Sequence, residues 1–111
     1  MQLRLKSEFI PLVQNGIKRS TIRAGRWEAA LGPAEIVCGS TRIPIKIISL
    51  DVKTLSTLTD IDAVNDGFSS KEELRKTLLK FYPQLKANDE VTIIHFIKSV
   101  TKETHSNIRS N

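Results

Sequence analysis

The chain is poor in the residues that most often advertise chemistry. Of its 111 residues one is cysteine, two are histidine, one is tryptophan and one is tyrosine. A lone Cys38 excludes an internal disulfide, and with His95 and His105 set far from it no ligand set has the spacing of a structural zinc site. Carboxylates do not gather as divalent cations require, so neither a metal nor a cofactor is expected. No apolar run approaches the roughly 20 residues of a membrane-spanning helix, and the opening MQLRLKSEF is too charged for a secretory leader. A reduced cytoplasmic compartment and no membrane partner are the resulting expectations. Aromatic residues make up 5% of the chain, which leaves core packing to aliphatic side chains.

Positive charge is what the chain has in excess. Lysine and arginine number 17 against 12 aspartates and glutamates, a formal charge of +5. That balance favours a polyanionic partner, nucleic acid before an anionic membrane. The length suits one domain, expected over residues 1–98, with a polar and aperiodic tail over 99–111. A monomer is the default.

Periodicity places the elements. QLRLK at 2–6 alternates as a half-buried strand does. Ser7 offers a cap for a short helix, EFIPLVQN, in which Pro11 is tolerated near the first turn and Gly16 marks the stop. EIVCGS and TRIPIKIISLDV read as two strands joined at Gly39–Thr41, the second inward on Ile43, Ile45 and Ile47. Cys38, in its apolar run, is expected buried and inert. Thr59 and Asp62 make a capping box for a helix whose apolar edge is Ile61, Ala63 and Val64. Ser69 or Ser70 opens another helix, inward on Leu74, Leu78 and Phe81, that ends at Pro83. EVTIIHFIK at 90–98 closes the series as a strand, with His95 half-buried. Strands and helices in this order, without a repeating strand–helix–strand unit, suggest a small mixed barrel with helices on one side.

The densest run of charge is NGIKRSTIRAGR, residues 15–26, which holds Lys18, Arg19, Arg23 and Arg26. In an extended chain Arg19, Thr21 and Arg23 share one face and Ser20, Ile22 and Ala24 the other. Trp27 just beyond reads as a lid on the core. A hydroxyl between cations suits either anion binding or acyl transfer. Thr21 would be the nucleophile, Lys18 its base if burial lowers its pKa, and Arg23 a partner for an oxyanion or a phosphate.

Three separated blocks resemble a known family. The element G-x-K-x-x-T-I-R at Gly16, Lys18, Thr21, Ile22 and Arg23 is followed by L-T-x-x-D-A-x-x-D-G-F from Leu58 to Phe68. Tyr82-Pro83 and VTIIHF complete the series. Together they are similar to the ASCH domain, over about residues 3 to 98. The resemblance implies an α+β fold, a small PUA-like mixed β-barrel with helices packed on one side, and binding of RNA or a modified nucleoside. Some small ASCH proteins remove the acetyl group of N4-acetylcytidine, and others are ribonucleases. By that likeness the catalytic set falls on Lys18, Thr21 and Asp66, with the arginine of the motif on Arg23; the charge of the basic run adds Arg19 and Arg26 as candidates for contacting ligand or RNA. Two departures stand out. Asp66 occupies a position where the family carries glutamate, one methylene longer, and LGPAE replaces a common Gly-Asp in the loop before the next strand. Asp66-Gly67 is also an ordinary turn pair, and that alone accounts for it without catalysis.

Overall fold

In the computed structural model residues 1–99 are described. The tail expected from residue 99 lies outside them except for Ser99, whose amide donates to Pro44 O at 3.1 Å. Among the described residues there are five strands and three α-helices: β1 (Gln2–Arg4), α1 (Ile10–Gln14), β2 (Ser20–Ala24), β3 (Gly32–Cys38), β4 (Thr41–Thr54), α2 (Asp60–Asn65), α3 (Lys71–Phe81) and β5 (Glu90–Lys98). The strands form one curled sheet in the order β1-β3-β4-β5-β2, a half-barrel with β1 and β2 at its edges. Only β1 and β3 run parallel; the remaining pairs are antiparallel.

The isoleucine alternation of β4 does what its period demands, burying Ile43, Ile45 and Ile47. An irregularity between Ile47 and Ser49 then inserts one residue, leaving Ile48 exposed. The insertion resets the register so that Leu50, not Ser49, goes on packing against the same cluster. Gly39 and Ser40 connect β3 to β4, with Gly39 at φ +59°, the sign that a tight hairpin turn needs. LGPAE, expected as a loop, belongs largely to β3: Pro33 pairs with Lys46 ahead of the stretch where β1 joins, so its missing N–H is not needed on that side.

Two apolar clusters meet across β5, whose alternate residues face opposite sides. Ile94 and Phe96 join Leu3, Ile36, the β4 isoleucines and α1 residues Ile10 and Val13, with Trp27 laid partly over them as a lid. Val91 and Ile93 join Ile22, Leu58, Ala63, Leu74 and Leu78, which seat α2 and α3. Among the described residues no helix is long and apolar enough to cross a membrane.

Three local expectations are corrected. Ser7 opens a 3-10 turn, and no side chain caps α1; the chain enters that helix from a turn and not from an extended cap residue. Cys38 is half-buried, because it sits at the last pair before the hairpin turn, at the edge of the cluster that covers Ile36. In α2, Ile61 and Val64 are 73% and 50% exposed, while Asp62, Ala63 and Asp66 face inward. The carboxylates take the inner face because each meets a lysine there, Lys53 for Asp62 and Lys18 for Asp66.

Candidate functional site

The basic run is positioned by the end of α1. Gly16 takes φ +77°, and the amides of Ile17 and Lys18 both donate to Leu12 O at 2.9 Å, which turns the chain back under the helix. Arg19 N donates to Asn65 O at 2.6 Å and Phe96 N to Arg19 O at 3.0 Å, pinning the segment between the end of α2 and β5. From Asp66 the chain turns through Gly67 at φ +94°. A Cβ there would stand 3.2 Å from Leu12 Cδ1 and 3.5 Å from Lys18 Cβ. Glycine thus serves both the left-handed turn and the approach of α2 to Lys18.

Lys18 Nζ lies 2.8 Å from Asp66 Oδ1 and donates a second bond to Asp66 O at 3.1 Å. The Ser20 hydroxyl donates to the same Oδ1 at 3.4 Å. Aspartate is therefore long enough to reach the lysine, and Asp66 fills both roles open to it: its backbone ends α2 while its carboxylate forms the pair. Lys18 is 3% and Asp66 4% exposed. Burial lowers the pKa of Lys18, an effect that its attraction to Asp66 only partly offsets, and the nearby Arg23 adds to the lowering. Burial likewise pushes Asp66 up to about 6 against the opposing influence of Lys18 and Ser20. Both members of the pair move toward their neutral forms. Desolvation exceeds mutual attraction, the condition under which a buried pair adds little stability.

The pair opens into a cavity of about 180 Å³ lined by Lys18, Thr21, Arg23 and Asp66 among others. Its walls include Phe9, Phe68, Phe81 and Tyr82. Phe9 stands edge-on to Phe68 (6.1 Å between centroids) and to Phe81 (6.4 Å), and Lys18 Nζ sits 5.2 Å above the Phe9 ring. Phe81, expected inward, is partly exposed because it stands at the cavity rim. Thr21 is buried against this hollow, and its hydroxyl makes no hydrogen bond among the described residues. Arg23 Nη2 donates to Arg4 O at 2.7 Å while its guanidinium lies 5.6 Å from the Trp27 ring.

Arg19 and Arg26 lie outside the cavity. The Arg19 guanidinium donates to Asn65 Oδ1 at 2.9 Å, and Arg26 forms an exposed pair with Glu90 at 2.8 Å. His95 is half-buried, 3.7 Å from Asp51 Oδ2. Sequence reasoning passed over four contributors: Ser20 beneath the carboxylate, the aromatic wall, and Arg4 and Lys6 at the mouth. The alternation of QLRLK held the signal for Arg4 and Lys6, read there as the solvent side of a strand.

No protein-family model matches the sequence, and no curated protein matches it. Solved structures do. The ASCH domain from Lactobacillus crispatus JV V101 superposes with a TM-score of 0.69 at 16% identity, over 79% of this chain and 68% of that one. The hypothetical protein PH0355 gives 0.69 at 21% identity, over 88% and 97%. Protein EF3133 from Enterococcus faecalis V583 gives 0.64 at 15%, over 85% and 69%. The fold is that of the ASCH domain structure, a small α+β architecture built on one curled five-stranded sheet.

Proposed function

We propose that the chain is an ASCH-type protein of the cytoplasm whose cavity holds one nucleoside or one unpaired nucleotide of RNA. The observation that carries this reading is the buried Lys18–Asp66 pair at the floor of an aromatic-walled hollow. A planar base offers faces to stack on such rings and a polar edge that pairs with a fixed ammonium and carboxylate. At about 180 Å³ the cavity is smaller than the roughly 300–1,000 Å³ of drug-sized sites, a scale suited to a single heterocycle.

A second reading, amide hydrolysis on an acylated cytidine, is favoured by the shift of both charged partners toward neutrality. A neutral Lys18 accepts the Thr21 proton as Oγ adds to the acyl carbon, and Arg23 supports the oxyanion. Protonated Asp66 then donates to the departing amine as the C–N bond breaks. Water then gives a proton to the Asp66 carboxylate as its oxygen adds to the acyl carbon. Protonated Lys18 returns its proton to Thr21 Oγ as that C–O bond breaks, releasing the acid and restoring all three groups.

The deciding experiment combines calorimetry with cytidine and N4-acetylcytidine and chromatographic detection of cytidine and acetate, run beside Lys18→Ala. Binding without turnover supports the first reading, and turnover lost in Lys18→Ala supports the second. If neither compound binds nor reacts, both are overturned.

A further inference from the structure

We infer that Arg4, Lys6 and Arg23 form a phosphate subsite at the mouth of the cavity, so that the ligand is a nucleotide and not a free nucleoside. The inference rests on the base pocket proposed above. Four cations line that cavity, Arg4, Lys6, Lys18 and Arg23, against a single carboxylate, Asp66. Asp66 is already committed to Lys18. Elsewhere on the sheet Arg26 pairs with Glu90, Arg42 with Glu35 and Lys53 with Asp62, while Lys46 and Lys98 have no carboxylate within ion-pair distance among the described residues but stand outside the cavity. Among the described residues no carboxylate lies within ion-pair distance of Arg4, Lys6 or Arg23.

These three charges come from two segments far apart in the order of the sheet. Arg4 and Lys6 are alternate residues at and just beyond β1, while Arg23 belongs to β2, the opposite edge of the sheet. The bond from Arg23 Nη2 to Arg4 O ties the two edges together, and both residues line the same cavity, where a bound anion would meet positive charge from each. Two of the cations are also held in place. Arg23 stacks near Trp27, and Lys6 Nζ lies 5.5 Å over the Phe81 ring, one of the cavity walls. Arg23 spends one donor on Arg4 O and keeps others for a ligand. Fixed cationic donors beside a base-sized hollow are the arrangement that a phosphate joined to a ribose would meet, the guanidinium through paired N–H groups and the lysine as a point charge.

The test is calorimetric titration with the four ribonucleosides, their 5′- and 3′-monophosphates, and inorganic phosphate, at low and at raised salt. A monophosphate is expected to bind about tenfold or more tightly than its own nucleoside at low salt, the scale of one charge-assisted hydrogen bond. That ratio should shrink as salt rises, and it should fall toward one in Arg4→Gln/Lys6→Gln. Because the ratio is internal to each protein, a general weakening of the variant does not imitate the result. Tighter binding of either the 5′- or the 3′-monophosphate supports the subsite and shows on which side of the ribose it lies. Equal affinity for nucleoside and monophosphate, or a ratio unchanged in the double variant, overturns the subsite and leaves the base pocket standing. Binding of neither overturns both.

Discussion

Lys18 and Asp66 meet across 48 positions of sequence, and each is more costly to bury than the other can repay. Removing one partner should therefore be worse than removing both. Lys18→Met and Asp66→Leu are each expected to lose about 3 kcal/mol in urea denaturation, and the double variant to recover much of it while binding no ligand. A double variant less stable than either single would show the pair to be a structural support. The pH dependence has a definite sign. Asp66 titrates near 6 in the folded chain, above its ordinary 3.8, so between about pH 4 and pH 6 the folded state carries a proton that the unfolded state has released. From this group alone, stability falls as pH rises through that window, and Asp66→Asn should flatten the slope. Ligand binding that needs the carboxylate runs the other way, weakening below about pH 6. The geometry behind this was half legible: G-x-K-x-x-T-I-R and Asp66-Gly67 stand out in the chain, but the support of Ser20 beneath the carboxylate depends on packing that no spacing expresses.

α2 shows how an element can be recognised and still be misread. Its start was legible, because Thr59 and Asp62 form the reciprocal capping box that their spacing implies, Asp62 N donating to Thr59 Oγ1 at 3.1 Å and Thr59 N to Asp62 Oδ2 at 2.9 Å. Its orientation was not. Hydropathy assigns Ile61 and Val64 to the core, yet two lysines from other elements draw Asp62 and Asp66, four residues apart, to the inner face. A hydropathy pattern within one helix does not register partners this far away in sequence. Thr59→Ala is expected to cost about 1 kcal/mol, read from the midpoint of chemical denaturation. Gly67→Ala should cost more than that, since it opposes a positive φ and presses on Leu12, and the new methyl beside Lys18 should weaken ligand binding at the same time. Loss of stability with undiminished binding would separate the turn from the site.

For the molecule as a whole, the long strands were the readable part. Ile43, Ile45 and Ile47 in β4 and the alternation of β5 announce two long strands, and both supply the apolar clusters. Strand order was not readable, because the parallel β1–β3 pair and the late arrival of β5 beside β2 involve partners far apart in sequence. For that reason the two edges, and the cations that they bring to one mouth, were invisible until the sheet was assembled. Charge supplies the prediction at this scale. Affinity for single-stranded RNA should fall steeply with salt, as it does when phosphate contacts release counterions. Arg26→Gln, at an exposed ion pair away from the cavity, should change stability by less than about 1 kcal/mol. A salt-independent affinity would mean that the excess charge has no part in recognition.

The pairing of β2 with β5 has a consequence for synthesis. Every ladder bond that β2 makes runs to residues 91–95, so on the ribosome the segment bearing Lys18, Thr21 and Arg23 waits, without a neighbouring strand, until nearly the whole domain has emerged. Among the described residues the hollow is thus completed only when β5 is in place, and a truncated product ending before residue 90 lacks the strand that holds Thr21 and Arg23.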